Sequence, residues 1–306
     1  LRSSRRKFVK GSLATGISLA LAGRGVLAQG GELVQNTIPS SGETLPAIGL
    51  GTNRYGVGQS ASARAPLKAA LARFHALGGT LIDTAPMYRS SELVLGDLIA
   101  ELVIRDDLFI ATKIDRTGGA EQNHEQIHDS MDKLRTKNLE LLQIHNLRGW
   151  RQSLPLMREL KEAGRLKYIG MTTSHSSQYK DLERIISNEK LDFIQLNYSL
   201  EQRESANRLL PLAADRGIAV IVNRPFGGGR IFDKVGNEPL PEWAQAFDCE
   251  SWAQFLLKFA ISHPAVTAAI PGMTKAHHVD DNIGAARGRL PTATEREQQQ
   301  AFFDAL

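Results

Sequence analysis

The chain has 306 residues, 42% of them hydrophobic and 23% charged, which is enough for one large core and unlike a collagen, a disordered tail or a disulfide scaffold. Its formal charge of +4 misleads: six of the 37 Lys+Arg and no acid lie in residues 1–28, leaving 31 basic against 33 acidic side chains and no electrostatic case for nucleic acid. The single cysteine, Cys249, excludes an intramolecular disulfide.

In chain order, the first element is an address. Ser4-Arg5-Arg6-Lys7-Phe8-Val9-Lys10 precedes an apolar run from Gly11 to Ala22, and Val26-Leu27-Ala28 offers a small-residue cut site before Gln29. A basic segment, a short apolar segment and a cut site make a signal peptide. The paired arginines ahead of Phe8 resemble a twin-arginine leader, whose machinery exports folded proteins. Residues 1–28 are therefore expected to direct the chain to the periplasm. The run is too short, and too rich in Gly, Ala and Ser, for a stable membrane anchor. Export in the folded state suits a protein that must first take up a cytoplasmic cofactor.

From Thr37 onward short apolar runs alternate with amphipathic stretches. Eight runs read as buried strands: Ala47–Thr52, Thr80–Ala85, Leu108–Ile114, Leu141–Asn146, Tyr168–Thr173, Phe193–Ser199, Ile218–Pro225 and Val266–Gly272. They are nearly continuous in apolar character, as strands covered on both faces should be. Pro66–Leu77, Leu154–Ala163 and Ala206–Asp215 carry helical periodicity and end at Gly78, Gly164 and Gly217. Eightfold alternation of this kind predicts an α/β fold, a (β/α)8 TIM barrel. Thr37–Pro46, with the turn Ser40-Ser41-Gly42-Glu43, reads as a β-hairpin at the barrel floor. With no linker in sight, residues 29–306 are expected to form one domain.

Chemistry in such barrels sits at the C-terminal strand ends. There the second, third and fourth runs present Asp83 with Tyr88, Lys113, and His145. This set closely resembles the catalytic tetrad of the aldo-keto reductases. Further stretches match that family in order, from Gly49-Leu50-Gly51-Thr52 through Ser91-Glu92 and Gly164-Arg165-Leu166-Lys167-Tyr168-Ile169-Gly170 to Ile270-Pro271-Gly272 with Asp281-Asn282. The resemblance implies hydride transfer between a nicotinamide cofactor and an aldehyde or ketone, or the corresponding alcohol, with Tyr88 as general acid/base. A free phenol, with a pKa of about 10, is a slow acid near neutrality. A neighbouring lysine ammonium stabilises the phenolate, an aspartate keeps that lysine charged, and a histidine positions the carbonyl oxygen.

No usable dinucleotide fingerprint is present, because Arg54 stands where the third glycine after Gly49 and Gly51 belongs. The family binds its cofactor on the barrel rim without one. By resemblance, Thr172, Thr173 and Gln195 would hold the carboxamide, and Asn223-Arg224-Pro225-Phe226-Gly227-Gly228-Gly229-Arg230 the pyrophosphate. Gly272, Thr274, His278, Asp281 and Asn282 fall at the adenosine end. Thr172-Thr173 replace a common Ser-Asn pair, and Asn223 a common stacking aromatic. Lys275 or Arg230 would meet a 2′-phosphate, and NADP(H) is expected over NAD(H).

His124-Glu125-Gln126-Ile127-His128 matches the zinc-peptidase pattern, but Ile127, Met131 and Leu134 make the inward stripe of its helix and no third ligand follows. No metal site is expected. Tyr55, Trp150 and Trp243 are candidates for an apolar substrate pocket. The short stretch after Asn282 suggests that this pocket is open. An alternative reading of the same residues is a nicotinamide-binding sensor or partner subunit with little turnover.

Overall fold

The structure is a computed structural model that describes residues 31–306. The twin-arginine leader and its cut site lie outside the described residues. Two short strands, β1 (Gln35–Thr37) and β2 (Thr44–Pro46), pair antiparallel around the expected turn. Eight strands follow: β3 (Leu50–Gly51), β4 (Leu81–Asp83), β5 (Phe109–Ile114), β6 (Leu139–Ile144), β7 (Leu166–Thr172), β8 (Phe193–Asn197), β9 (Ala219–Asn223) and β10 (Ala268–Ala269). Each pairs parallel with the next. Bridges Ile48–Ala269 and Gly51–Gly272 join first to last and close the (β/α)8 barrel.

The ring of helices comprises α1 (Ala61–Ala76), α2 (Ser91–Leu102), α3 (Ala120–Lys133), α4 (Trp150–Glu162), α5 (Tyr179–Asn188), α6 (Ser205–Asp215), a short α7 (Arg230–Val235), α8 (Trp252–Ile261), α9 (Ala276–Gly284) and α10 (Ala293–Ala305). Residues 31–306 form one compact unit, and no helix among the described residues is long and apolar enough to cross a membrane.

Period-two alternation sorts the strand residues. Leu81, Phe109, Ala111, Leu141, Tyr168, Phe193, Ala219, Ile221 and Ala268 fill the barrel interior together with Ile38 and Leu45 of the hairpin. The hairpin is thus the floor. It is latched there by the Tyr168 hydroxyl, which donates to Glu43 Oε2 at 2.5 Å, and by a 2.6 Å Lys167–Glu43 ion pair. The alternate residues Ile110, Ile114 and Leu142 pack outward in the shell beneath the helices.

Two expected strands are much shorter than their apolar runs. In β3 and β10 the ladder survives only at Leu50–Gly51 and Ala268–Ala269, because the closing seam is carried by isolated bridges and Pro271 can donate no ladder bond. The fourth run also stops early. β6 ends at Ile144, and a single 3-10 turn over His145–Leu147 turns the chain outward, with Asn146 at φ +51°.

Candidate active site

The inward row of each strand continues upward into polar residues. Two steps beyond Leu81 stands Asp83; two beyond Ala111, Lys113; two beyond Leu141, Gln143, then His145; two beyond Phe193, Gln195; two beyond Ile221, Asn223. The ladder puts Lys113 level with Gln143 and Thr172 level with Gln195. A buried polar layer therefore caps the apolar one at the C-terminal mouth.

Its centre is Lys113. The ammonium donates to Asp83 Oδ2 at 2.6 Å and to the Thr84 carbonyl at 2.7 Å, and lies 5.1 Å from the centroid of the Tyr88 ring. Burial by itself works against its charged form. The Asp83 carboxylate, and after it the Tyr88 side chain, outweigh burial and hold the Lys113 pKa above its usual value. Burial pushes the Asp83 carboxyl up, against the opposing pull of Lys113. The result is a desolvated ion pair whose strongest partners are each other.

Tyr88 reaches this pair from the loop between β4 and α2, where its N–H donates to the Ala85 carbonyl at 3.0 Å. Gly56 of the preceding loop lies against that backbone so closely that a Cβ there would sit 2.4 Å from the Tyr88 carbonyl oxygen. The His145 ring stands edge-on to Tyr88, centroids 6.2 Å apart at 90°. Burial first, and then the Lys113 charge, lower the His145 pKa to about 4, so its imidazole is neutral near pH 7.

Tyr88, Lys113, Asp83 and His145 share one cavity of about 620 Å³. Its other wall is built by Thr172, Gln195, Asn223, Arg224, Pro225, Phe226, Gly229, Gly272, Thr274 and His278. Five of the expected cofactor residues stand back from it. Thr173 is buried behind Thr172, with its hydroxyl donating to Gln178 at 2.6 Å. Gly227 backs onto Glu201, and exposed Arg230 is 3.7 Å from the same carboxylate. Asp281 accepts from Ser251 and Gln254, and Asn282 is buried beneath it. The cavity also takes in Gly228 of the matched glycine loop, and Asn53, Arg54, Met87, Asn146, Ser174 and His175, which motif matching passed over. The available signal was position, since each follows a strand end or sits in the glycine loop.

The expected aromatic lining is a correction. Tyr55 is fully buried, with its hydroxyl donating to the Met273 carbonyl at 3.0 Å. Trp243 packs among Phe247, Phe255 and Phe302, and Trp150 faces a separate depression outside Asn146. His124 and His128 are exposed on the outer face of α3, and no metal-binding cluster occurs among the described residues.

The second wall suits a nicotinamide dinucleotide. Gln195 Oε1 and Asn223 Oδ1 are buried acceptors without a partner in the protein, matching the needs of a carboxamide. Gly227, Gly228 and Gly229 run at φ +57°, +76° and +103°, and beside the last two a Cβ would meet nothing within 4 Å. Side chains there would strain the backbone and fill the space a pyrophosphate requires.

Fold and mouth together define a (β/α)8 barrel in which the cluster of Asp83, Tyr88, Lys113 and His145 faces a wall fit for a dinucleotide. A model of the Aldo/keto reductase family matches residues 47–297, and the chain belongs to that family. It is an NAD(P)H-dependent oxidoreductase. Among its relatives, methylglyoxal reductase YeaE of Escherichia coli is 29% identical over 85% of this chain and 92% of its own. The NADH-specific methylglyoxal reductase of the same organism is 27% identical over 66% and 70%. An aldo-keto reductase from Klebsiella pneumoniae, solved in complex with NADPH, superposes with a TM-score of 0.74 at 25% identity, covering 89% of this chain and 96% of that one.

Proposed function

We propose that this enzyme transfers hydride between NADP(H) and a small aldehyde or ketone, with Tyr88 as the group that gives and takes the proton at oxygen. The observation that carries this reading is the Lys113 ammonium, locked 2.6 Å from Asp83 and 5.1 Å from the centre of the Tyr88 ring. When Tyr88 gives up its proton, the phenolate is left beside a fixed positive charge in a water-poor site, where that charge acts strongly. Asp83 prevents Lys113 from losing its own proton and fixes its direction. Neutral His145 offers a ring N–H to the carbonyl oxygen without competing as an acid. A bound reduced nicotinamide supplies the hydride.

Preference for NADP(H) rests on the adenosine end. Lys275 is exposed at the start of α9, beside His278, whose pKa is lowered by burial and by the neighbouring His277 and Lys275. Lys275 therefore brings the positive charge that a 2′-phosphate would meet there. The twin-arginine pattern at residues 4–10 supports a periplasmic site of action for the folded, cofactor-loaded enzyme. Finding the chain only in the cytoplasmic fraction of the native cell would contradict that placement.

Tyr88→Phe tests the chemistry. It should lower kcat by about 10²–10⁴ while NADPH still binds. Turnover close to that of the parent enzyme would remove Tyr88 from the mechanism. Binding of NADPH by the parent with no turnover on any carbonyl would favour a nicotinamide-binding sensor instead.

A further inference from the structure

The cavity has two unlike halves. The half lined by Phe226, Gly228, Gly229, Ile270, Pro271 and Gly272 belongs to β9, β10 and their loops, where the proposed reading places the cofactor. The half around the reacting groups is lined from the loops after β3 to β7 by Asn53, Arg54, Met87, Asn146, Ser174 and His175. Of these six only Met87 is apolar, and the aromatic rings beside them are those of Tyr88 and the imidazoles of His145 and His175. The aromatic candidates are committed elsewhere: Tyr55 to the core, Trp243 to the cluster around Phe255, and Trp150 to the depression beyond Asn146.

The polar groups of this half are held in place. Asn146 Oδ1 accepts from the Ser174 N–H at 3.0 Å, and Asn197 Nδ2 donates to the Ser174 carbonyl at 3.1 Å. Asn146 adopts φ +51°, a conformation disfavoured for a residue with a Cβ, which these bonds and its N–H to Thr172 help to hold. Asn146 so held lines the wall of the cavity. Beyond Ser174 and His175 a second depression of about 500 Å³ continues the same character, with Ser176, Ser177, Gln202 and Glu204 in its wall. A substrate tail leaving the reaction centre in that direction meets hydroxyls, amides, the carboxylates of Glu201 and Glu204 and the Arg203 guanidinium, with Tyr179 behind them.

We infer that the enzyme selects small hydroxylated carbonyl compounds, of the hydroxyaldehyde class, over aryl and long alkyl aldehydes, with Asn53, Asn146 and Ser174 reading the substrate's hydroxyl groups. The inference rests on the reductase reading above and deepens it. An alkyl or aryl tail would desolvate these amides and hydroxyls without replacing their bonds to water, whereas a hydroxyl next to the carbonyl replaces them.

Steady-state kcat/KM of the purified enzyme with NADPH should be measured for D-glyceraldehyde, propanal, hexanal and benzaldehyde. D-Glyceraldehyde should exceed propanal, its match in carbon number, by about tenfold, as one or two retained hydrogen bonds predict. It should also exceed hexanal and benzaldehyde. Asn53→Leu, at an exposed position, should narrow the gap between D-glyceraldehyde and hexanal at least threefold. Turnover with hexanal or benzaldehyde preferred, or an Asn53→Leu enzyme with the parent's preferences, would overturn the inference and leave the reductase reading standing. Absence of turnover on all four aldehydes would defeat both.

Discussion

Lys113 and Asp83 meet at 2.6 Å with almost no exposure, and the ammonium that holds the carboxylate also faces the Tyr88 ring. In the proposed mechanism one pair serves stability and chemistry together, and mutation separates the two roles. Removing one partner leaves a buried, unpaired charge, so Lys113→Met should cost about 3–5 kcal/mol in urea unfolding. Replacing both, as Lys113→Met with Asp83→Leu, should regain most of that stability, because a well-packed apolar pair of similar size is tolerated. Carbonyl reduction should stay lost in both variants. A double variant with near-parental turnover would show that the pair is only structural.

Cofactor preference is predicted to sit on one exposed side chain. Lys275→Glu puts a like charge beside a 2′-phosphate, and it should weaken NADPH binding at least tenfold while changing NADH binding little. Titration of both nucleotides by fluorescence checks this, and an equal loss for the two would move the preference elsewhere.

Stability should fall with acid in a definite window. His145 and His263 are both lowered from 6.5 to about 4, chiefly by burial, with Lys113 and Arg296 respectively as the next cause. The unfolded chain therefore binds more protons than the folded one between these values. The stability owed to the neutral rings is complete above about pH 6.5 and is lost as pH falls toward 4, on the order of 2 kcal/mol per group after allowing for partial exposure. Unfolding midpoints at pH 7 and pH 5 should differ for the parent and differ less for His145→Gln. An unchanged difference would place the titration elsewhere.

The zinc-peptidase pattern on α3 should be silent. His128 is engaged by Asp132 at 3.1 Å, one helical turn away, and both motif histidines lie on the solvent side. The double variant His124→Ala, His128→Ala, and treatment with a strong chelator, should each leave turnover and melting temperature unchanged. Loss of activity on chelation, restored by zinc, would reopen the peptidase reading.

Much of this molecule is legible in one dimension. The β5 run carries Phe109, Ala111 and Lys113 on one face and Ile110, Thr112 and Ile114 on the other, so alternation alone predicts which side chains face the barrel axis. Asp83, Lys113 and His145 are legible for the same reason, since each lies on or directly after a strand, where local geometry determines its direction, whereas Tyr88 stands in the loop between β4 and α2 and is legible only through the family resemblance. Loop residues are different. Asn53, Met87 and Ser174 converge only because separate loops fold over one mouth, and no local pattern marks them. Tyr55 shows the converse. Placed two residues beyond Asn53, it points into the core, because its hydroxyl finds a backbone carbonyl 218 residues away in sequence.

The amino-acid sequence by itself determined the strand–helix alternation and the inward rows, since these follow from side-chain periodicity over a few neighbours, and its family resemblance pointed to the proposed acid–base set. Only the tertiary structure decided that the loop residues around the reaction half of the cavity are mostly polar and that Tyr55, Trp150 and Trp243 stand away from it. Burial and hydrogen-bond satisfaction are settled between segments far apart in the chain, and a side chain's neighbours across such distances are unknown until the barrel closes.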